Sequence, residues 1–144
     1  MLNLVSSDEY YNSTLNLSVF IKEPIALVEI SPTSINFGEI TKGYVTNFSN
    51  VSVINRGDLD IRIKPTLREG APQIFQNLKF SSASCSNWYG LGWNSSIISR
   101  AEEYGRGNGE RYNFCIRLDL RNYQEEILES ANLSTELIIW IIPL

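Results

Sequence analysis

The sequence contains no histidine, which removes at once the commonest general base, the usual zinc ligand and the one side chain that ordinarily titrates near neutral pH. Charge is scarce as well: 19% of residues are charged, 12 basic against 16 acidic, scattered to a net of -4. With no basic stripe to attract a phosphate backbone or an anionic bilayer, neither nucleic acid nor a membrane surface is an expected partner. The longest apolar run, Leu137 to Ile142 with Pro143 behind it, is far below the roughly 20 residues that a membrane-crossing helix needs, so no membrane span is expected and the run reads as a buried strand. No basic segment followed by an apolar stretch opens the sequence, so an exported form is expected to have lost its signal peptide already.

Only two cysteines occur, Cys85 and Cys115, which fit a single disulfide in an oxidising compartment; a pair of buried thiols is the alternative. A chain of 144 residues holds one domain with a proper core. The expected division is an N-terminal tail over residues 1–24 and a head domain over 25–144.

What the sequence has in quantity is asparagine followed two residues on by serine or threonine. Asn12, Asn16, Asn47, Asn50, Asn94 and Asn132 all stand in such triplets, where the composition would supply about two by chance. The cluster predicts N-linked glycans, hence an extracellular location, and each glycan marks a solvent-facing position because a hydrated sugar is costly to bury.

Period-2 alternation in runs rich in Val, Ile, Phe and Thr, separated by Gly, Pro, Asn and Asp, predicts an all-β fold. In Leu15 to Ile21 the residues Leu15, Leu17, Val19 and Ile21 share one face, with Asn16, Ser18 and Phe20 on the other. Further runs are Ile25 to Ile30, Ile35 to Ile40, a turn at Thr41-Lys42-Gly43, and Tyr44 to Ile54. Leu59 to Leu67 follows the Asn55-Arg56-Gly57-Asp58 turn and is expected to form a hairpin with the run before it, with Ile61 and Ile63 inward. Asn47 and Asn50 have opposite parity, so both face outward only if a β-bulge resets the register; otherwise one site is occupied.

Ile74 to Phe80 reads as another strand, and Ser81 to Glu110 as a long polar loop holding Trp88 and Trp93. In the strand Arg111 to Leu120 the residues Tyr112, Phe114, Ile116 and Leu118 face the core, which leaves Cys115 on the outer face, where a bond to Cys85 would tie the loop across the sheet. A short helix is expected over Tyr123 to Ser130, capped by Asn122 with Glu125 three positions on. Glu136 to Ile142, apolar on both faces, is expected to be a central strand with sheet on one side and the tied loop on the other.

The first run is unusual. Lys22-Glu23-Pro24 lacks the Gly or Asn of a tight hairpin turn, so a straight continuation is the more natural path. A seven-residue strand of about 23 Å would then project with a row of bare aliphatic side chains and need a groove in a partner. Insertion into an identical domain that lacks one strand gives a head-to-tail contact that does not close, and so a filament. The alternative is that residues 15–21 are the first strand of their own sandwich.

Other chemistry is weak. Arg56-Gly57-Asp58 spells a cell-attachment tripeptide but lies in an ordinary turn, and Asn55, Asp58 and Asp60 are too few for a calcium site. Glu102-Glu103 and Glu125-Glu126 are adjacent pairs that do not converge across a cleft. Gly105-Arg-Gly-Asn-Gly109 lacks the strand-loop-helix frame of a phosphate cradle. No catalytic, metal-binding or cofactor-binding residue is therefore expected, and no cofactor beyond the glycans. Trp88, Tyr89 and Trp93 are the most credible ligand-binding feature, by stacking on sugar, or else the plug that packs the loop on the sheet.

Ser31-Pro-Thr-Ser-Ile-Asn-Phe-Gly-Glu-Ile40, then Gly43, then Val51-Ser-Val-Ile-Asn-Arg-Gly-Asp58, resembles immunoglobulin-like β-sandwich modules over about a quarter of the chain. With the dense sequons, the paired cysteines and the amphipathic first run, the whole resembles the subunits of archaeal thread filaments, pilin-like sandwiches joined by donor-strand complementation. The resemblance implies that Leu15, Leu17, Val19 and Ile21 are the knobs of the donor strand, that identical subunits are the partners, and that the product is a cell-surface filament serving adhesion or biofilm formation. A monomeric cell-surface module binding carbohydrate or protein through the Trp88 to Trp93 loop is the competing expectation. It requires exposed tryptophans and a first run paired within its own domain.

Overall fold

The computed structural model describes residues 11–21, 26–101 and 110–144. Among these residues six strands follow in chain order: β1 (Val28–Ser31), β2 (Ser49–Asn55), β3 (Ile61–Leu67), β4 (Leu78–Ser82), β5 (Arg111–Leu118) and β6 (Leu137–Pro143). They form two antiparallel sheets, one of four strands in the order β1-β2-β5-β4 and one of two, β3-β6. Among the described residues there is no α-helix, so the all-β expectation holds.

The alternation in sequence builds the core. Val51 and Val53 from β2, Leu78 and Phe80 from β4, and Phe114, Ile116 and Leu118 from β5 meet Ile61 and Ile63 from β3, with Phe75, Ile98 and Leu120 closing the cluster. Fully burying such a side chain contributes about 1.5–3 kcal/mol, so this one cluster dominates the stability of the fold.

The expected hairpin between β2 and β3 does not form, because the two strands belong to different sheets. Asn55 explains the crossing. Its side chain is fully buried, donating from Nδ2 to Leu59 O (2.8 Å) and Ile98 O (3.2 Å) and accepting from Gly57 N (3.0 Å). These bonds hold the turn against the 95–98 segment and deliver the chain to the opposite layer.

Between the Val45–Asp119 bridge and the Ser49–Ile116 pair, four residues are traversed on one strand and three on the other. This extra residue is the expected bulge, and it splits the Tyr44 to Ile54 run. The turn before it is also as expected: Tyr44 N donates to Thr41 O (3.1 Å), and Gly43 adopts a φ of +92°, open to glycine at the third turn position.

Three further elements differ from expectation. Gln73–Asn77 is a 3-10 turn that buries Phe75, so β4 starts only at Leu78. Ile35 to Ile40 forms no strand, although Ile35, Phe37 and Ile40 pack half-buried on the core. Tyr123 to Ser130 is not helical; its adjacent Ile127 and Leu128 are exposed and give no apolar stripe to pack, and an eight-residue helix is too short to stand alone.

The largest correction concerns β6. Among the described residues it pairs only with β3, and Ile138, Trp140 and Ile142 are exposed on the side away from the core. The strand is an edge, because among the described residues no strand pairs with its other side, and the disulfide-tied loop lies on the other sheet.

Candidate functional site

Residues 11–21 belong to no strand, and every one of them is exposed. Leu15 (83%), Leu17 (86%), Val19 (83%) and Ile21 (85%) stand almost wholly in solvent, as does Phe20 (89%). Exposure of five large apolar side chains within residues 15–21 is costly in water. Lys22-Glu23-Pro24, at the expected tail boundary, lies outside the described residues, as do Glu102-Glu103 and the Gly105 to Gly109 stretch.

The second exposed apolar feature is β6. At the ends of its ladder with β3, Arg68 N donates to Glu136 O (3.2 Å) and Leu144 N to Asp60 O (2.9 Å). That phase makes Thr66–Ile138, Lys64–Trp140 and Arg62–Ile142 the hydrogen-bonded pairs, so the amides and carbonyls of Leu137, Ile139 and Ile141 face the open edge. Pro65, opposite Ile139, is tolerated because its position requires no N–H toward β6. The Trp140 indole N–H donates to Thr66 Oγ1 (2.8 Å), which satisfies its polar atom and holds the ring on the outer face.

All six sequon asparagines, Asn12, Asn16, Asn47, Asn50, Asn94 and Asn132, are exposed. Cys85 and Cys115 are disulfide-bonded with Cα atoms 5.7 Å apart, and Cys115 lies between Asn50 and Ser81 in the sheet register, on the face opposite the core-facing Phe114 and Ile116. The bond thus ties the 83–89 loop across the outside of the four-stranded sheet, as the strand parity predicts.

The tryptophan loop is a packing device. Trp93 is half-buried, stacked on Phe80 (centroids 5.7 Å apart, planes at 6°) and tilted against Phe114 at 5.3 Å. Trp88 is half-buried beneath the Arg117 guanidinium, whose carbon lies 4.0 Å from the ring centroid, with Phe48 at 6.1 Å. Neither tryptophan is presented as an open stacking platform, and only Tyr89 of the three is exposed.

Asp119 anchors the charged end of this face. Hydrogen bonds from the Arg121 side chain, Nε at 2.9 Å and Nη2 at 2.7 Å, hold its carboxyl down to about 2, with Arg117 adding at 3.9 Å. Burial pushes Arg117 down from its ordinary value, helped by the charge of Arg121. Burial likewise raises the Tyr112 phenol, opposed by a hydrogen bond with Ser96.

The remaining polar motifs do not converge. Gly57 is buried and Arg56 is paired with Glu29 (2.6 Å), so Arg56-Gly57-Asp58 is part of the turn. Asn55 points inward and Asp60 Oδ1 accepts from Arg100 N (2.9 Å), so neither is turned to a common cation. Among the described residues no group of three or more acidic or cysteine side chains clusters as a metal site would.

Sequence reasoning missed the exposed Ile138, Trp140 and Ile142 face. The signal was present, because a strand apolar on both faces is as consistent with an edge awaiting a partner as with a covered centre. No protein-family model matches the chain, and no curated protein matches it.

Proposed function

We propose that the chain is the structural subunit of an extracellular, N-glycosylated filament, an immunoglobulin-like, pilin-like sandwich assembled head to tail by donor-strand complementation. The observation that carries this reading is the 15–21 segment: four aliphatic side chains at alternate positions, each more than four-fifths exposed and none in a sheet. Burying them in a neighbour contributes about 1.5–3 kcal/mol each, set against the cost of association and of ordering the segment. Exposure of all six sequon asparagines supports a sugar-coated surface, and the Cys85–Cys115 bond suits an oxidising exterior. Such a fibre would serve adhesion or biofilm formation.

The test is Val19→Asp in the full-length chain. A charge placed among the four knobs is expected to abolish sedimentable polymer while leaving the thermal unfolding of the head unchanged. Undiminished polymer from that variant sinks the donor-strand reading.

A further inference from the structure

Resting on the filament reading, we infer that the outer edge of β6 receives residues 15–21 of a second copy, and that Phe20 of the incoming segment seats beside Trp140 on the outer face of that sheet.

The edges of the two sheets are not equivalent. β4 is covered by Tyr89, which exchanges backbone hydrogen bonds with Phe80 (2.7 and 2.8 Å). The edge of β3 away from β6 is covered by the 95–98 segment, through Ile61 N to Ile98 O (3.1 Å), Ile98 N to Ile61 O (2.8 Å) and Ser95 N to Ile63 O (3.0 Å). β1 is four residues long and carries Glu29, a charge of the kind that blunts an edge. β6 is seven residues long and reads Leu-Ile-Ile-Trp-Ile-Ile-Pro, with no charge and no internal proline. Among the described residues it is the long apolar edge without cover, and natural proteins do not leave such an edge unpaired.

The occupant is indicated by the chain itself. Residues 15–21 match β6 in length and in period. A strand added to an edge shares the pleat of its neighbour, so Leu15, Leu17, Val19 and Ile21 align with the core-facing Leu137, Ile139 and Ile141 whether the incoming strand runs parallel or antiparallel. Those three β6 residues are only half-buried, which leaves apolar surface for the knobs to cover. Their outward amides are the ones the new ladder would use.

The opposite face of the incoming strand carries Asn16, Ser18 and Phe20, and would extend the outer face of β6. With all seven residues aligned, Phe20 falls opposite Ile142 in a parallel arrangement and opposite Ile138 in an antiparallel one. In both, Trp140 is its diagonal neighbour, within reach of an aromatic ring. Phe20 thereby gives the joint an anchor on the second face and penalises a one-residue slip, which would turn it inward. Asn16, four residues earlier on Phe20's face and about 13 Å away, keeps its sugar in solvent because among the described residues no further layer lies above that face.

The experiment mixes two full-length chains, one carrying Phe20→Cys and the other Ile138→Cys or Ile142→Cys, under mild oxidation, with products resolved on a non-reducing gel. A reducible heterodimer as the main product with one of the two acceptors, and little with the other, supports the assignment and gives the strand direction. Fibres that form without cross-linking to either acceptor overturn the β6 assignment and leave the filament reading standing. Placing Phe20→Cys and Ile138→Cys, or Phe20→Cys and Ile142→Cys, in one chain and obtaining only internally bridged monomer overturns the assignment as well, since the segment then returns to its own sheet. A parent chain that never polymerises removes the filament reading itself.

Discussion

Asn47 and Asn50 are three residues apart, of opposite parity, and both exposed, because one extra residue between Val45 and Ser49 resets which face the chain presents. Without the bulge, one of the two would point at the core layer. Both acceptors are therefore available, and mass mapping of glycopeptides is expected to find sugar on Asn47 and on Asn50. Unmodified peptides at both positions in native material would contradict the glycoprotein reading.

The Cys85–Cys115 bond closes a loop with a sequence separation of 30, worth about 3.5 kcal/mol in the chain-entropy model. Replacing both cysteines by serine is expected to lower the unfolding free energy by roughly 2–4 kcal/mol. Limited proteolysis should then cut first within 83–89, where the loop is held otherwise by Trp88 against Arg117 and Phe48. A first cut in β2 or β5 would show that the bond supports the sheet and not the loop.

Acid stability should carry the mark of Asp119. Its carboxyl is held at about 2, below the ordinary 3.8, so the folded state favours the ionised form. The contribution is fully present above about pH 4 and is lost as the pH falls through about 2. Asp119→Asn is expected to be less stable than the parent at neutral pH, and the difference should close below about pH 2 in denaturant titrations. A gap that stays constant over that range would rule out the Arg121 pairing as its source.

Asn55 is buried, with two of its side-chain hydrogen bonds made inside the turn that carries the chain from one sheet to the other and a third to Ile98 O. Asn55→Ala takes the side-chain partner from the Gly57 N–H and the Leu59 carbonyl, while Ile98 O keeps its bond from Ile61 N, and a loss of roughly 2–3 kcal/mol is expected by chemical denaturation. A change below about 0.5 kcal/mol would mean that the crossing is held by the core alone.

The sequence made the strands legible where one face is buried and the other wet. Ile61 and Ile63 against Arg62 alternate as a half-buried strand must, and in β5 the parity still separates Phe114 and Ile116 from Cys115, which is buried on the outer face. The same parity placed the disulfide on the outer face. What it could not give was pairing between strands. The Asn55 turn looks like a hairpin turn locally, and only the buried carboxamide reaching Ile98, 43 residues away, makes it a crossing. At β6 the pattern was ambiguous for a physical reason: apolar residues on both faces fit a covered central strand and equally an edge strand whose outer face is exposed.

The most direct measurement is negative-stain imaging of the purified full-length protein beside its Val19→Asp variant. Long beaded fibres from the parent and discrete folded particles from the variant are the expected pair of images. Discrete particles from both would contradict the account, and so would fibres from the variant as abundant as those of the parent.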